Sequence, residues 1–224
     1  MIPKIIHQIW IGPFEMQDIE KQYVKDIKLN NPNFEHRLWT NDNVPRLPEK
    51  LQKIYNKYGE HEDYAFQADI LRLFLIFEYG GLYFDVDFKH VGSLENAEFL
   101  NYDGVFTYHK TENSFWEEDL TIPNGIFGAI KHSEIFKFLL DDIDEIEPWT
   151  GPSWLGASVR KYFNLLSDTS HDIVLGKLRE KNFCYYPYHS LENNYIKHYA
   201  LASWMPENKL ELKAGNINFQ KGKK

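Results

Sequence analysis

The chain has 224 residues, enough for one domain of ordinary size, and its 25 Lys and Arg against 33 Asp and Glu give a net charge of −8 with no basic run, a poor match to a nucleic-acid backbone. Apolar residues make up 43%, too many for a disordered chain, and the single cysteine, Cys184, excludes an intrachain disulfide and a cysteine-built zinc site. No stretch approaches the ~18 apolar residues of a membrane span, and the N-terminus lacks a signal-peptide core with a small-residue cleavage site. The sequence therefore reads as a soluble or cytoplasmic chain.

Strand and helix signals alternate. Lys4 to Ile11 is Ile-rich, stops at Gly12-Pro13 and predicts a first buried strand. Ile19, Tyr23, Val24 and Ile27 have helical spacing, so Glu15 to Leu29 predicts a helix, stopped by Asn30-Asn31-Pro32. Phe34 to Thr40 predicts a second strand, and Leu51 to Tyr58 a short helix closed by Gly59. Asp63 to Tyr79 predicts a helix that is apolar on nearly every side and therefore buried, with Asp63 as N-cap and Gly80-Gly81 as its left-handed stop. Leu82 to Phe88 follows at once as a strand. Further strands are expected at Gly104 to Tyr108, Ile122 to Ala129 and Phe183 to Tyr186, and helices at Ser133 to Ile146 and, opened by Gly151-Pro152, at Ser153 to Leu165. Residues 1–205 read as one catalytic domain and 206–224 as a polar, weakly patterned tail. Strands separated by helices predict an α/β fold, Rossmann-like, with a mostly parallel sheet flanked by helices. Such sheets bind ligands at the carboxyl ends of their strands.

Two constellations there can carry chemistry. Asp85-Val86-Asp87 ends the apolar run Leu82-Tyr83-Phe84. In a strand, residues i and i+2 point to one face, so both carboxylates would project together. They would repel unless a hard divalent cation, Mg²⁺ or Mn²⁺, relieved the conflict. The competing reading is a pair of exposed turn aspartates. Asp69 and Arg72 lie three apart on the buried helix, hence on one face. Neither residue type is often buried unless paired. An ion pair that only supports the fold is the plainer reading, yet burying one seldom gains net stability, which leaves room for a functional reason to keep it. None of the nine histidines has zinc-site spacing. Gly151-Pro152-Ser153-Trp154-Leu155-Gly156 continues Ala157-Ser158, lacks a P-loop lysine and reads as a helix start.

The run Ala68-Asp69-Ile70-Leu71-Arg72, followed by Tyr79-Gly80-Gly81-Leu82-Tyr83-Phe84-Asp85-Val86-Asp87, resembles the DXD-containing sugar-binding glycosyltransferases. These are glycosyltransferase family 32 and its relatives among fungal α-mannosyltransferases, bacterial capsular transferases and large clostridial glucosylating toxins. The opening Ile2-Pro3-Lys4-Ile5-Ile6-His7-Gln8-Ile9-Trp10-Ile11-Gly12, the segment Asn124-Gly125-Ile126-Phe127-Gly128-Ala129 and the combination of His198 with Ser203-Trp204 are similar to further family segments. The resemblance implies a GT-A type fold and transfer of a hexose from a nucleoside-diphosphate sugar, UDP-linked in preference to GDP-linked, to a glycan or other hydroxyl acceptor, with retention of configuration. It implies that Ile9 and Trp10 meet the donor at the first strand's end, Trp10 stacking on the base. By the same resemblance, Asp69 and Arg72 hold the donor sugar, with Asn124 close to it. Tyr83 lies near the ribose or base, and Asp85 contacts the ribose or a metal-bound water. Asp87 ligates Mn²⁺ or Mg²⁺, His198 is a C-terminal metal or pyrophosphate contact, and Ser203 and Trp204 close over the phosphates. Two other readings stay open at this point: a haloacid-dehalogenase-like Mg²⁺-dependent phosphohydrolase, which also uses Asp-x-Asp at a strand end, and a non-catalytic nucleotide-sugar binder.

Overall fold

The computed structural model describes residues 1–108, 122–144, 150–167, 169–187, 191 and 194–198; for His171, Pro187 and His198 only the backbone is described. In chain order the elements are β1 (Ile5–Trp10), α1 (Asp18–Asn30), β2 (Glu35–Thr40), α2 (Glu49–Glu60), α3 (Tyr64–Tyr79), β3 (Gly81–Phe84), β4 (Phe88–His90), a 3-10 turn (Glu98–Asn101), β5 (Gly104–Tyr108), β6 (Ile126–Ala129), α4 (Glu134–Asp142), α5 (Pro152–Tyr162), α6 (His171–Glu180), β7 (Phe183–Pro187) and β8 (Ile196–His198). Six strands form the main sheet in the order β2-β1-β3-β6-β5-β7. β1 pairs parallel with β2 and with β3, and β5 parallel with β7. β6 alone runs against its neighbours β3 and β5, so the mostly parallel α/β sheet expected from the sequence is present. No described helix is long and apolar enough to cross a membrane.

Period-two alternation of the strands divides the core. Leu82 and Phe84 of β3, with Ile6 of β1, pack on one face against Ile27 of α1 and Phe88 of β4. Tyr83, Phe106 and Phe127 face the other way, against α3, α4 and the buried Leu155 and Val159 of α5. α3 lies deepest. Asp63 caps it by accepting from the Phe66 amide at 3.4 Å, and its far end stops at Gly80 and Gly81, with φ of +68° and +100°. A side chain at Gly81 would put its Cβ 2.5 Å from the Ile5 carbonyl oxygen, so this glycine lets α3 feed β3 directly against β1. Asp63, Gly80 and Gly81 thus do what the sequence predicts.

The expected strand from Leu82 to Phe88 is instead two strands of different sheets. β3 ends at Phe84, Asp85 to Asp87 form a turn closed by the Phe88 amide donating to the Asp85 carbonyl at 3.4 Å, and β4 leaves the main sheet to pair antiparallel with β8. Aspartates fit strands poorly and turns well, so the break falls at the Asp-x-Asp segment. Asp85 and Asp87 therefore share a turn, not the pleat of one strand. The expected strand from Ile122 is likewise shorter, with Asn124 and Gly125 in the turn that precedes β6. α6 and β8 gave no sequence signal. α6 buries only Val174 and Leu178 as apolar anchors, and Gly176 interrupts its pattern.

Candidate active site

At the carboxyl ends of β1 and β3 lies a cavity of about 450 Å³, within the roughly 300–1,000 Å³ usual for small-molecule sites. Ile9, Trp10, Ile11 and Phe14 line one side, Tyr64, Ala68, Asp69 and Arg72 of α3 another, Tyr83, Asp85 and Asp87 the floor, and Asn124, Gly151 and Pro152 the rest. All eight expected site residues with described side chains, Ile9 and Trp10 among them, therefore border one space. His198 pairs by its backbone with Phe88, the residue after Asp87. Ser203 and Trp204 lie outside the described residues.

The polar wall is an interlocked network. Arg72 Nη2 is ion-paired with Asp69 Oδ1 at 3.0 Å, the i,i+3 pair the sequence predicts. Its Nη1 donates to the Asn124 carbonyl at 2.6 Å and lies 3.4 Å from Asp85 Oδ1. The guanidinium also covers the Tyr83 ring, 4.8 Å from its centroid. Asn124 Nδ2 donates to Asp69 Oδ1 at 2.9 Å, so this one residue meets both members of the pair. Tyr83 donates its hydroxyl to Asp85 Oδ1 at 2.6 Å, which accounts for the turn's direction. The Asp85 amide donates to the Gly125 carbonyl at 2.9 Å, and a Cβ at Gly125 would come within 2.6 Å of Asp85 Oδ2. Only glycine leaves that carboxylate its place.

Burial sets the charge states. It raises the Asp69 carboxyl to about 6, although Arg72 and the Thr150 hydroxyl pull the other way. Burial works against the Arg72 charge too, but Asp85, Tyr83 and Asp69 more than offset it, and its pKa is raised. The Tyr83 phenol is pushed up by burial and held neutral as a donor.

Three residues that build the site carry no sequence motif. Thr150, 2% exposed, donates its hydroxyl to Asp69 Oδ2 at 3.1 Å. Asn41 accepts from the Gly12 amide at 3.0 Å and donates to the Gly12 carbonyl at 2.7 Å, fixing the loop after β1. Gln8 Nε2 reaches the Asp85 carbonyl at 3.5 Å while its Oε1 meets His36 Nε2 at 2.8 Å. Only the neighbouring Gly151-Pro152 helix start pointed toward Thr150.

A strand-end cavity that joins a buried Asp–Arg pair to an Asp-x-Asp turn belongs to a class. Residues 17–104 match the family described as "Glycosyltransferase sugar-binding region containing DXD motif", a segment that includes Asp69, Arg72, Asp85 and Asp87 but stops short of Asn124. With the relatives that follow, this supports a glycosyltransferase, and residues 17–104 are similar to the DXD-containing family. An uncharacterized glycosyltransferase of Acanthamoeba polyphaga mimivirus is 28% identical over 94% of this chain and 86% of its own length. Inositol phosphoceramide mannosyltransferase 2 of Schizosaccharomyces pombe is 24% identical over 65% of this chain, which spans 39% of that longer protein. Among solved structures, PaToxG glycosyltransferase shares the fold with a TM-score of 0.60 at 17% identity, over 80% of this chain and 75% of that one.

Proposed function

We propose that this glycosyltransferase moves a hexose from a nucleoside-diphosphate sugar, UDP-linked in preference to GDP-linked, to a hydroxyl acceptor with retention of configuration, and that it works with Mn²⁺ or Mg²⁺. The observation that carries the reading is the joining, through Arg72, of a sugar-sized polar wall (Asp69, Asn124) to the Asp85–Asp87 turn. A phosphate-only site has no use for the first half.

Asp85 and Asp87 offer oxygen donors from one turn that borders the cavity. Among the described residues no third His, Cys, Asp or Glu gathers with them. That donor set suits a hard ion that keeps several waters and shares a diphosphate's oxygens rather than a closed all-protein cage. When bound, the ion would supply positive charge to the departing diphosphate. Trp10, half-buried with its indole NH tied to the Phe14 carbonyl at 2.8 Å, presents an aromatic face to a base. Asp69 accepts from sugar hydroxyls, and Arg72 and Asn124 fix it in place, which supplies orientation. Arg72 adds fixed charge where negative charge develops. The acceptor hydroxyl attacks on the face the diphosphate leaves, and no side chain is assigned as nucleophile.

The test is a panel of UDP- and GDP-sugars with and without Mn²⁺, read by thermal stabilisation and by release of nucleoside diphosphate. A ligand bound at 100 times its Kd stabilises by about 2.7 kcal/mol. One class of donor should stabilise the chain only with metal, excess EDTA should abolish turnover, and Asp87→Ala should be folded and inactive. Turnover undiminished in EDTA would remove the metal from the reading. Release of inorganic phosphate in place of transfer would favour a phosphohydrolase, and binding without turnover a non-catalytic binder.

A further inference from the structure

We infer that Thr150 is a positioning residue for sugar transfer: its hydroxyl orients the Asp69 carboxylate so that one Oδ2 lone pair remains aimed at the donor sugar. The inference rests on the proposed sugar-binding role of Asp69.

The argument is one of hydrogen-bond capacity. An ionised carboxylate offers about four acceptor sites, two on each oxygen. Among the described residues, Oδ1 of Asp69 accepts from Asn124 Nδ2 at 2.9 Å and is ion-paired with Arg72 Nη2 at 3.0 Å, so both of these neighbours lie on that oxygen. Oδ2 accepts from Thr150 Oγ1 at 3.1 Å. Oδ2, with the Thr150 hydroxyl as its one donor among the described residues, is the less crowded oxygen and the one assigned here to a sugar hydroxyl. Without Thr150, rotation about the Cβ–Cγ bond, which carries both oxygens together, is resisted only at Oδ1, by Arg72 and Asn124, so the carboxylate plane is held less firmly.

Thr150 is well placed for this work and for no other at the site. It is 2% exposed and is absent from the cavity wall, so it acts through Asp69 and not on the substrate. Its perch is rigid. Gly151 and Pro152 follow at once and open α5, whose Leu155 and Val159 are buried in the core. Ser158 donates to Asp142 Oδ2 at 2.7 Å, and Lys161 bonds the same carboxylate, which ties α5 to α4. The hydroxyl thus couples a helix remote from the Asp-x-Asp turn to the sugar end of the cavity.

The experiment compares Thr150→Val, which keeps shape but not the hydroxyl, with Thr150→Ser, which keeps the hydroxyl, in the full chain. Because Val leaves Oδ2 short of a donor and can lower stability, Thr150→Ala is set beside Thr150→Ser as a second pair, alike in lacking the methyl and different only in the oxygen. The readouts are kcat/KM for the sugar nucleotide that the wild type turns over and Kd for its nucleoside diphosphate alone. The expected result is a fall in kcat/KM of at least about tenfold in Val and Ala, the size expected of a lost bond to a charged group. Diphosphate Kd should stay within about twofold of wild type, and Ser should recover most of the turnover. Ser as impaired as Ala, kcat/KM unchanged in Val, or diphosphate affinity falling in parallel with turnover would each overturn the inference while leaving the glycosyl-transfer reading intact. Failure of that reading shows in the wild type itself, as no turnover of any sugar nucleotide, and takes the inference with it.

Discussion

Asp69 answers to two opposed requirements. The proposed acceptance from a sugar hydroxyl asks for an ionised carboxylate, while burial raises its pKa to about 6. Below that value Asp69 takes a proton and loses its acceptor strength, so kcat/KM should show an acid limb near pH 6 that is missing from diphosphate binding. The stability effect has the opposite sense. A carboxyl raised in the folded state favours folding when protonated, so its contribution declines as pH rises from about 4 to 6 and is flat above. Asp69→Asn separates sugar positioning from scaffolding. Its amide oxygen can still accept from Arg72 and Asn124, and its NH2 can donate to the Thr150 oxygen, so the network closes without the charge. Arg72 keeps Asp85 as a counter-ion at 3.4 Å. The variant should melt within a few degrees of wild type and bind diphosphate normally, and it should lose transfer by at least about a hundredfold. If the pair served only the fold, the damage would run the other way, with ~3–5 kcal/mol of stability lost and normal transfer whenever folded. One calorimetric scan, one diphosphate titration and one transfer rate decide between these outcomes.

The elements that frame the cavity are held at their ends by local devices. The loop after β1 is pinned twice, by the paired bonds of Asn41 to Gly12 and by Trp10 to Phe14. Trp10→Ala should weaken nucleoside-diphosphate binding by about 1–3 kcal/mol, the scale of base–aromatic stacking, and a core tryptophan would instead show its loss in melting temperature. Asn41→Ala, whose side chain does not border the cavity, should weaken the same binding by a smaller amount through a looser loop, measurable by titration alongside the Trp10 variant. These devices also show what could be read from residues alone. α3 was legible because Asp63, a run of apolar residues and Gly80-Gly81 state start, burial and stop locally. The pairing of Asp69 with Arg72 followed from helical periodicity. Asn41, Thr150 and Gln8 were not legible, because each bonds a group far along the chain and nothing in its neighbours encodes the partner. The Asp85–Asp87 turn was misread as strand for a related reason. Alternating burial continues through Val86 and Phe88, so the pattern persists after the backbone has left the sheet.

At the scale of the whole molecule, His7 and His90 are buried, His36 is half-buried, and all three are neutral. Burial lowers His7 to about 4, His36 to about 4 and His90 to about 3. Trp39 donates to His7 Nδ1 at 3.1 Å, so its Nε2 carries the proton and donates to the Gly80 carbonyl at 2.9 Å. His90 has no hydrogen-bond partner on either ring nitrogen among the described residues and packs edge-on against Phe84. Unfolded, each takes a proton near pH 6.5. The stability they lend is therefore complete above that value and is lost as pH falls toward 4, at about 1.4 kcal/mol per pH unit for each proton. Asp69 acts in the contrary sense over part of the window, but it is one group against three. The urea midpoint should drop steeply between pH 6.5 and 4.5, and His90→Phe, which suits its apolar surroundings, should flatten that slope by one proton's worth. The pairing of β4 with β8 carries a consequence of another kind. A chain made from its N-terminus has β1, α3 and β3 in hand early, and those segments can associate as soon as they emerge. The strand that leaves the Asp-x-Asp turn, however, finds its partner only when Ile196 to His198 arrive, after a long excursion through β5, β6, β7 and three helices whose closure carries an entropic cost. β4 is thus secured to its partner late, although the turn before it is already closed by Phe88 and held by Tyr83 on Asp85.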